Sequence, residues 1–308
     1  HLLNYAVKMY AAKANGQTGA LEALWLDEGQ SHFAEDACGF GGENVTLLDE
    51  KDREVTDVSA GDVALVENGV SRDITSFKPD RRPLSVAVLV DSSAAVGSAY
   101  RLNVVEAVVG LIARLPDGAR YALWATGDRP TKIVDHTDDR GAAGTALRMV
   151  APQGGNYMLD AFSEASADLK KLSREGDRTA VVAVSFMGPE LSYLDKYRSA
   201  EVAEKNAEIF LSVQVDSGEA DFEMRSNVSY VMDRLARATG GCYDVILSAM
   251  GTDTALRKLS AHLRSGYRLA YATVPDLKKR SLDLSVARLG TKVVLPSASS
   301  REASPGEP

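Results

Sequence analysis

From Leu84 to about Arg264 the chain alternates short apolar runs with stretches of helical periodicity. Residues 85–90, 120–125, 131–134, 179–185, 208–213 and 241–246 read as strands, and 99–114, 157–172, 198–206, 226–239 and 252–264 as helices. The run Leu84–Val90 has six apolar residues in seven and no polar alternation, the pattern of a strand covered on both faces. Pro116-Asp117-Gly118 and Gly240-Gly241 punctuate the ends of two helices. Strand–helix alternation with buried strands predicts an α/β fold, a doubly wound, mostly parallel sheet flanked by helices, over residues 81–264.

On either side the period changes to that of strands. Val45–Leu48, Val63–Val66 and Ile74–Phe77 come first, with Asn68-Gly69 as a hairpin signal. Tyr267–Thr273, Ser281–Ala287 and Thr291–Leu295 follow the α/β stretch. Neither set has enough strands to bury a core alone. Segments 44–80 and 265–296 are therefore expected to pair into one small β domain, with the α/β domain inserted between its halves. Residues 1–43 are expected to form an arm: Leu2, Leu3, Ala6, Val7, Met9 and Tyr10 have amphipathic-helix spacing, Asn15-Gly16 stops it, and glycines 39, 41 and 42 mark a loop. The Ser/Pro/Glu-rich residues 297–308 are expected to be disordered.

Composition narrows the function classes. With 45% hydrophobic and 25% charged residues the chain is of ordinary globular type. A net charge of −8 argues against nucleic acid, whose binders need a basic face to displace counterions. No apolar run approaches the ~20 residues that span a bilayer. The first residue is His1 rather than Met, which points to a segment removed or left out upstream. Cys38 and Cys242 are the two cysteines. They are either a disulfide closing a long loop in an oxidising compartment or, as the preferred reading, two unrelated thiols.

The chemistry concentrates where the strand at 85–90 ends in Asp91-Ser92-Ser93. The carboxyl edge of such a sheet is where ligands bind, and Asp with Ser begins an oxygen-ligand cation site. Six segments then carry a resemblance in order: GDVALVENGVSRDITSF (Gly61–Phe77), PLSVAVLVDSS (Pro83–Ser93), GGNYMLDAF (Gly154–Phe162), RTAVVAVSF (Arg178–Phe186), LARATGG (Leu235–Gly241) and LRSGYRLAY (Leu263–Tyr271). Over about Asn44 to Leu295 the chain resembles bacterial von Willebrand factor type A-domain proteins of the acidobacterial "VWFA-related" kind.

That resemblance implies a Mg²⁺ site built from D-x-S-x-S, a Thr from a second loop and an Asp from a third. Asp91 and Ser93 are kept. Ala95 offers no oxygen, Asn156 stands at the Thr, and Met187 stands at the carboxylate, where a thioether is a poor ligand for a hard cation. The preferred reading is a set of vestigial positions with no cofactor, Asp91 relying on backbone N–H donors or Ser93 to stay ionised. The alternative is a weak Mg²⁺ site at Asp91, Ser93 and Asn156, helped by Asp160 or Glu190.

Other candidates read more blandly. His32, His136 and His262 lie in separate segments and suit surface or capping roles. Gly154-Gly155 suits a tight turn, and Asp135, Asp138 and Asp139 a solvated loop. No G-x-S-x-G elbow or other nucleophile–base pair is present, so an enzyme has no support. Tyr157, Phe186, Tyr193 and Tyr197 fall at or near the carboxyl-edge loops, where they either form a protein-binding surface or fill a vacated metal cleft. The expectation is a non-enzymatic scaffolding subunit of the cell envelope, periplasmic or cell-surface. It would dock to other protein subunits through the arm (Leu2, Leu3, Tyr5, Tyr10), the β domain and the edge loops, without a divalent cation. The alternative is a metal-dependent adhesion domain that captures a partner carboxylate. The envelope location follows from the resemblance and from His1.

Overall fold

A computed structural model describes residues 40–216, 222–273 and 281–296. The expected arm helix, with Leu2, Leu3, Tyr5 and Tyr10, lies outside the described residues, as do His32, Cys38 and the tail from 297.

The first strands are β1 (Phe40–Leu48), β2 (Val63–Glu67), β3 (Val70–Arg72) and β4 (Ile74–Pro79). The α/β part follows: β5 (Leu84–Val90), a π-helical turn at Tyr100–Val104, α1 (Val105–Ala113), β6 (Arg120–Ala125), β7 (Thr131–Thr137) and α2 (Ala142–Met149). It continues through α3 (Met158–Leu172), β8 (Arg178–Phe186), α4 (Lys196–Glu204), β9 (Ile209–Val215), α5 (Phe222–Thr239), β10 (Cys242–Ile246) and α6 (Thr252–Arg264). Strands β11 (Gly266–Ala272), β12 (Leu282–Val286) and β13 (Lys292–Val294) close the chain.

The central sheet has the order β10-β9-β8-β5-β6-β7, parallel except for β7, which runs antiparallel to β6. Strand β5 is buried at every position, and its two faces serve two cores. Val86, Val88 and Val90 pack with Val108, Leu111, Leu259 and Leu263 from α1 and α6. Ala87 and Leu89 pack with Phe162, Leu169, Val231 and Leu235 from α3 and α5. Burial on both sides removes the polar alternation that a one-sided sheet would show.

Strands from the two ends of the chain pair with each other. One sheet has the order β13-β1-β11-β4 and another β12-β2-β3. They enclose a core of Val45, Leu47, Leu65, Phe77, Leu269 and Leu284, in which Phe77 stacks on Tyr267 at 4.7 Å between ring centres. The chain crosses between the two parts at 80–83 and at 265, and the crossings are tied together. Asp80 N donates to Gly266 O at 2.8 Å. Arg82 forks between Asp80 and Glu208 at 2.7 and 2.8 Å.

Four expectations need correction. The glycines at 41 and 42 are strand residues, because β1 begins at Phe40 and pairs with β11 from Phe40↔Ala272 onward; the arm therefore does not extend to 43. Helix α2 was not foreseen. The helix read at 198–206 runs Lys196–Glu204, since Asp195 caps it by accepting from Tyr197 N and Arg198 N. The helix read at 226–239 starts at Phe222.

Candidate functional site

Four loops meet above the carboxyl edge of β5, β6 and β8, and backbone bonds knit them. Gly127 N donates to Ser92 Oγ (2.9 Å), Gln153 N to Ser92 O (2.9 Å), Ala94 N to Gly154 O (3.0 Å) and Tyr157 N to Thr126 O (2.9 Å). Gly127 is required by this closeness: a Cβ there would lie 2.2 Å from Ser92 O, and backbone cannot yield. Gly154, at φ +65°, supplies the left-handed turn.

Asp91 sits at the centre, fully buried. Its Oδ1 accepts from Ser93 N at 2.9 Å. Its Oδ2 accepts from Phe186 N at 2.8 Å and from Asn156 Nδ2 at 3.0 Å. Asn156 is held in turn by Thr126, whose hydroxyl donates to Asn156 Oδ1 at 2.6 Å. An acceptor-only carboxylate on one side and a hydroxyl donor on the other fix which way the amide points. Burial raises the pKa of Asp91 above the ordinary value, while the N–H groups of Phe186 and Ser93 oppose that rise.

This geometry does not fit a resident Mg²⁺. Asp91 Oδ2 already accepts from an amide donor, and an amide nitrogen is no ligand for a hard cation. Ala95 supplies no oxygen, and the loop after β8 comes close to it: a Cβ at Gly188 would lie 2.6 Å from the Ala95 methyl. Met187 continues the sheet edge with its N–H on Val215 O at 2.9 Å, and its side chain carries no oxygen. Mg²⁺ demands near-octahedral oxygen ligation. One atom remains uncommitted: Ser93 Oγ is buried and completes no hydrogen bond.

Asp160 and Glu190, considered as helpers of a cation, do other work. Asp160 accepts from Tyr193 N (3.0 Å) and Leu194 N (2.9 Å). Glu190 accepts from Ser192 N (3.2 Å) and Met158 N (3.3 Å), and burial pushes its carboxyl up to about 7. Together they pin the 189–195 loop to the start of α3. Among the described residues no cluster of three His, Cys, Asp or Glu side chains could hold a metal ion.

The aromatic candidates separate. Phe186 is buried in the core at 8% exposure, which corrects its reading as a surface residue; β8 is covered on both faces to its last position. Tyr157 is half-buried against Tyr193, ring centres 6.1 Å apart. Tyr193 and Tyr197 are exposed, at 91% and 59%. His262, read as a surface or capping residue, is buried where α6 meets β1, its Nε2 3.0 Å from both Thr46 Oγ1 and Gly240 O, and burial lowers it to about 4. Cys242 borders a cavity of about 80 Å³ shared with Asp52, Lys258 and His262. Burial pushes that thiol up to about 12, which leaves it protonated and poorly nucleophilic; its pairing with Cys38 falls outside the described residues. Thr126 is a site residue that sequence reasoning missed, while the sequence places Ser185, 3.3 Å from Asn156 Nδ2, only in the loop that carries Met187. Thr126 follows directly on the run at 120–125, so the rule that singled out Asp91 points to it as well.

Residues 86–186 match the family model described as von Willebrand factor type A domain. Among solved structures, a von Willebrand factor type A protein from Catenulispora acidiphila aligns at 12% identity and TM-score 0.50, over 85% of this chain and 73% of that one. The SpRpn10 VWA domain aligns at 14% identity and TM-score 0.47, over 59% of this chain and 97% of that one. BatB from Bacteroides thetaiotaomicron aligns at 13% and 0.45, over 59% and 100%. No curated protein matches. The α/β part has a von Willebrand factor type A-like fold: a central mixed sheet with helices on both faces.

Proposed function

We propose that this chain, built around a von Willebrand factor type A domain, is a non-enzymatic protein-binding subunit of the cell envelope that engages its partner without a divalent cation. Domains of this kind act as interaction modules, and the envelope assignment rests on the resemblance of the sequence to bacterial proteins. Among the described residues no helix is long and apolar enough to cross a membrane.

The observation that carries the reading is the Asn156 amide, 3.0 Å from Asp91 Oδ2. It satisfies the buried carboxylate from within the chain, which otherwise requires a counter-charge. With the cation's place filled, recognition falls to the loops around it. Among the described residues the edge carboxylates Asp91, Asp160 and Glu190 accept from backbone N–H groups of the loops, which supports a structural role for them.

A second reading has one observation in its favour. The uncommitted Ser93 hydroxyl beside Asp91 suits a weak Mg²⁺ adhesion site in which Asn156 swings aside. Recovery of partners from native membranes in EDTA and in Mg²⁺ separates the two. Equal recovery supports the cation-independent subunit; recovery only in Mg²⁺, lost in Asp91→Ala, overturns it.

A further inference from the structure

We infer that the segment from Leu191 to Tyr197, with Tyr157 and Tyr230, is a docking surface for an extended partner segment that sets a carboxylate against Lys196 and an apolar side chain on the neighbouring tyrosines. The inference rests on the cation-independent reading above and names where and what the chain binds.

The surface combines exposed apolar groups with one cation that has no carboxylate partner among the described residues. Leu191, Tyr193 and Tyr197 are exposed at 51%, 91% and 59%, and Tyr197 meets Tyr230 edge-on at 5.5 Å. Exposed large apolar side chains gathered on one surface mark interaction sites. Lys196 Nζ lies 5.5 Å from the Tyr197 ring centre and 5.2 Å from that of Tyr230. Among the described residues no carboxylate pairs with it, whereas Arg198 on the same helix is paired with Glu201 at 3.1 Å. A cation held over two rings is positioned and partly desolvated before any partner arrives.

The segment is also rigid, which is what a docking loop needs to keep the ordering cost of association low. Leu191 N donates to Asn156 O at 2.7 Å and Asn156 N to Pro189 O at 2.9 Å. Asp160 holds the N–H groups of Tyr193 and Leu194, and Asp195 holds those of Tyr197 and Arg198. The same Asn156 that satisfies Asp91 therefore anchors the loop that presents the tyrosines.

Charge decides the occupant. An acidic residue beside an apolar one satisfies both the ammonium and the ring faces.

The test selects random displayed peptides on the intact chain in EDTA, then measures the winners by fluorescence anisotropy against folded variants checked by circular dichroism. Winners are expected to carry Asp or Glu next to Leu or an aromatic. They should bind about tenfold more weakly to Tyr193→Ala and Lys196→Ala, consistent with loss of an interface anchor, not at all to Lys196→Glu, and normally to Lys196→Arg. Winners without a carboxylate, or binding indifferent to Lys196→Glu, overturn the surface while leaving cation-independent binding intact. Selection that succeeds only in Mg²⁺ overturns the underlying reading instead. No enrichment, or dimerisation abolished by Tyr193→Ala, also counts against the surface.

Discussion

Asn156 Nδ2 donates to Asp91 Oδ2 across 3.0 Å in a fully buried setting, between residues 65 positions apart. The amide satisfies the carboxylate from within the chain, and Thr126 holds it there. Removing it strips Asp91 Oδ2 of one donor, leaving the Phe186 N–H, and takes the acceptor from the Thr126 hydroxyl. Asn156→Ala is expected to lower unfolding free energy by about 1.5–3 kcal/mol, the range for a hydrogen bond to a charged group. Urea denaturation measures it, and a cost close to zero would detach Asn156 from this role.

Asn156→Asp goes further, because it exchanges the donor for a second carboxylate facing Asp91. Two carboxylates sharing a site cannot both ionise comfortably. The variant should be less stable than Asn156→Ala at neutral pH, and millimolar Ca²⁺ or Mg²⁺ should restore part of the loss. Stability equal to the parent chain, with no response to cations, contradicts the assignment.

Gly127→Ala tests the closeness of the loops rather than their charge. The added Cβ would lie 2.2 Å from Ser92 O and 2.9 Å from Gln153 O. Both are backbone atoms, so the loops must separate, at a cost of about 3 kcal/mol or more, in the range of severe core strain. A thermal midpoint within error of the parent would show that the loops are not so placed.

Much of the fold was legible because burial on both faces of β5, β8 and β9 leaves uninterrupted apolar runs. Helix α2 was not, since only Ala143, Gly144 and Leu147 of its residues are buried, too few to set a period. The start of β1 was masked by Gly41 and Gly42, whose strand conformation comes from pairing with β11, over 200 residues away. At the site, Asp91 and Ser93 could be named from the end of the buried strand, and Ala95, Asn156 and Met187 from the family resemblance. What Asn156 does could not, because its partners Asp91, Thr126 and Ser185 come from three separate strand ends. His262 carried no signal of burial either; the strand that covers it is 216 positions away.

Glu190 and His262 give opposing pH dependences. Glu190 is raised to about 7 by burial from about 4.3 unfolded, so its stabilising contribution is present at low pH and lost as pH rises through about 7. His262 is lowered to about 4 from about 6.5 unfolded, so its contribution is present above that value and lost as pH falls toward 4. Between about pH 4.5 and 6.5 the two slopes oppose each other, each approaching at most 1.4 kcal/mol per pH unit. Relative to the parent, Glu190→Gln should gain stability with rising pH across this window, and His262→Gln should lose it. Denaturation at several pH values reads both slopes; parallel curves for all three proteins would contradict the assignments.

The central claim, that Asn156 has taken the place of a divalent cation at Asp91, is tested most directly by calorimetric titration of the chain with Mg²⁺, Mn²⁺ and Ca²⁺. The account predicts no saturable heat at millimolar metal, for the parent and for Asp91→Ala alike. Saturable binding by the parent that disappears in Asp91→Ala would contradict it.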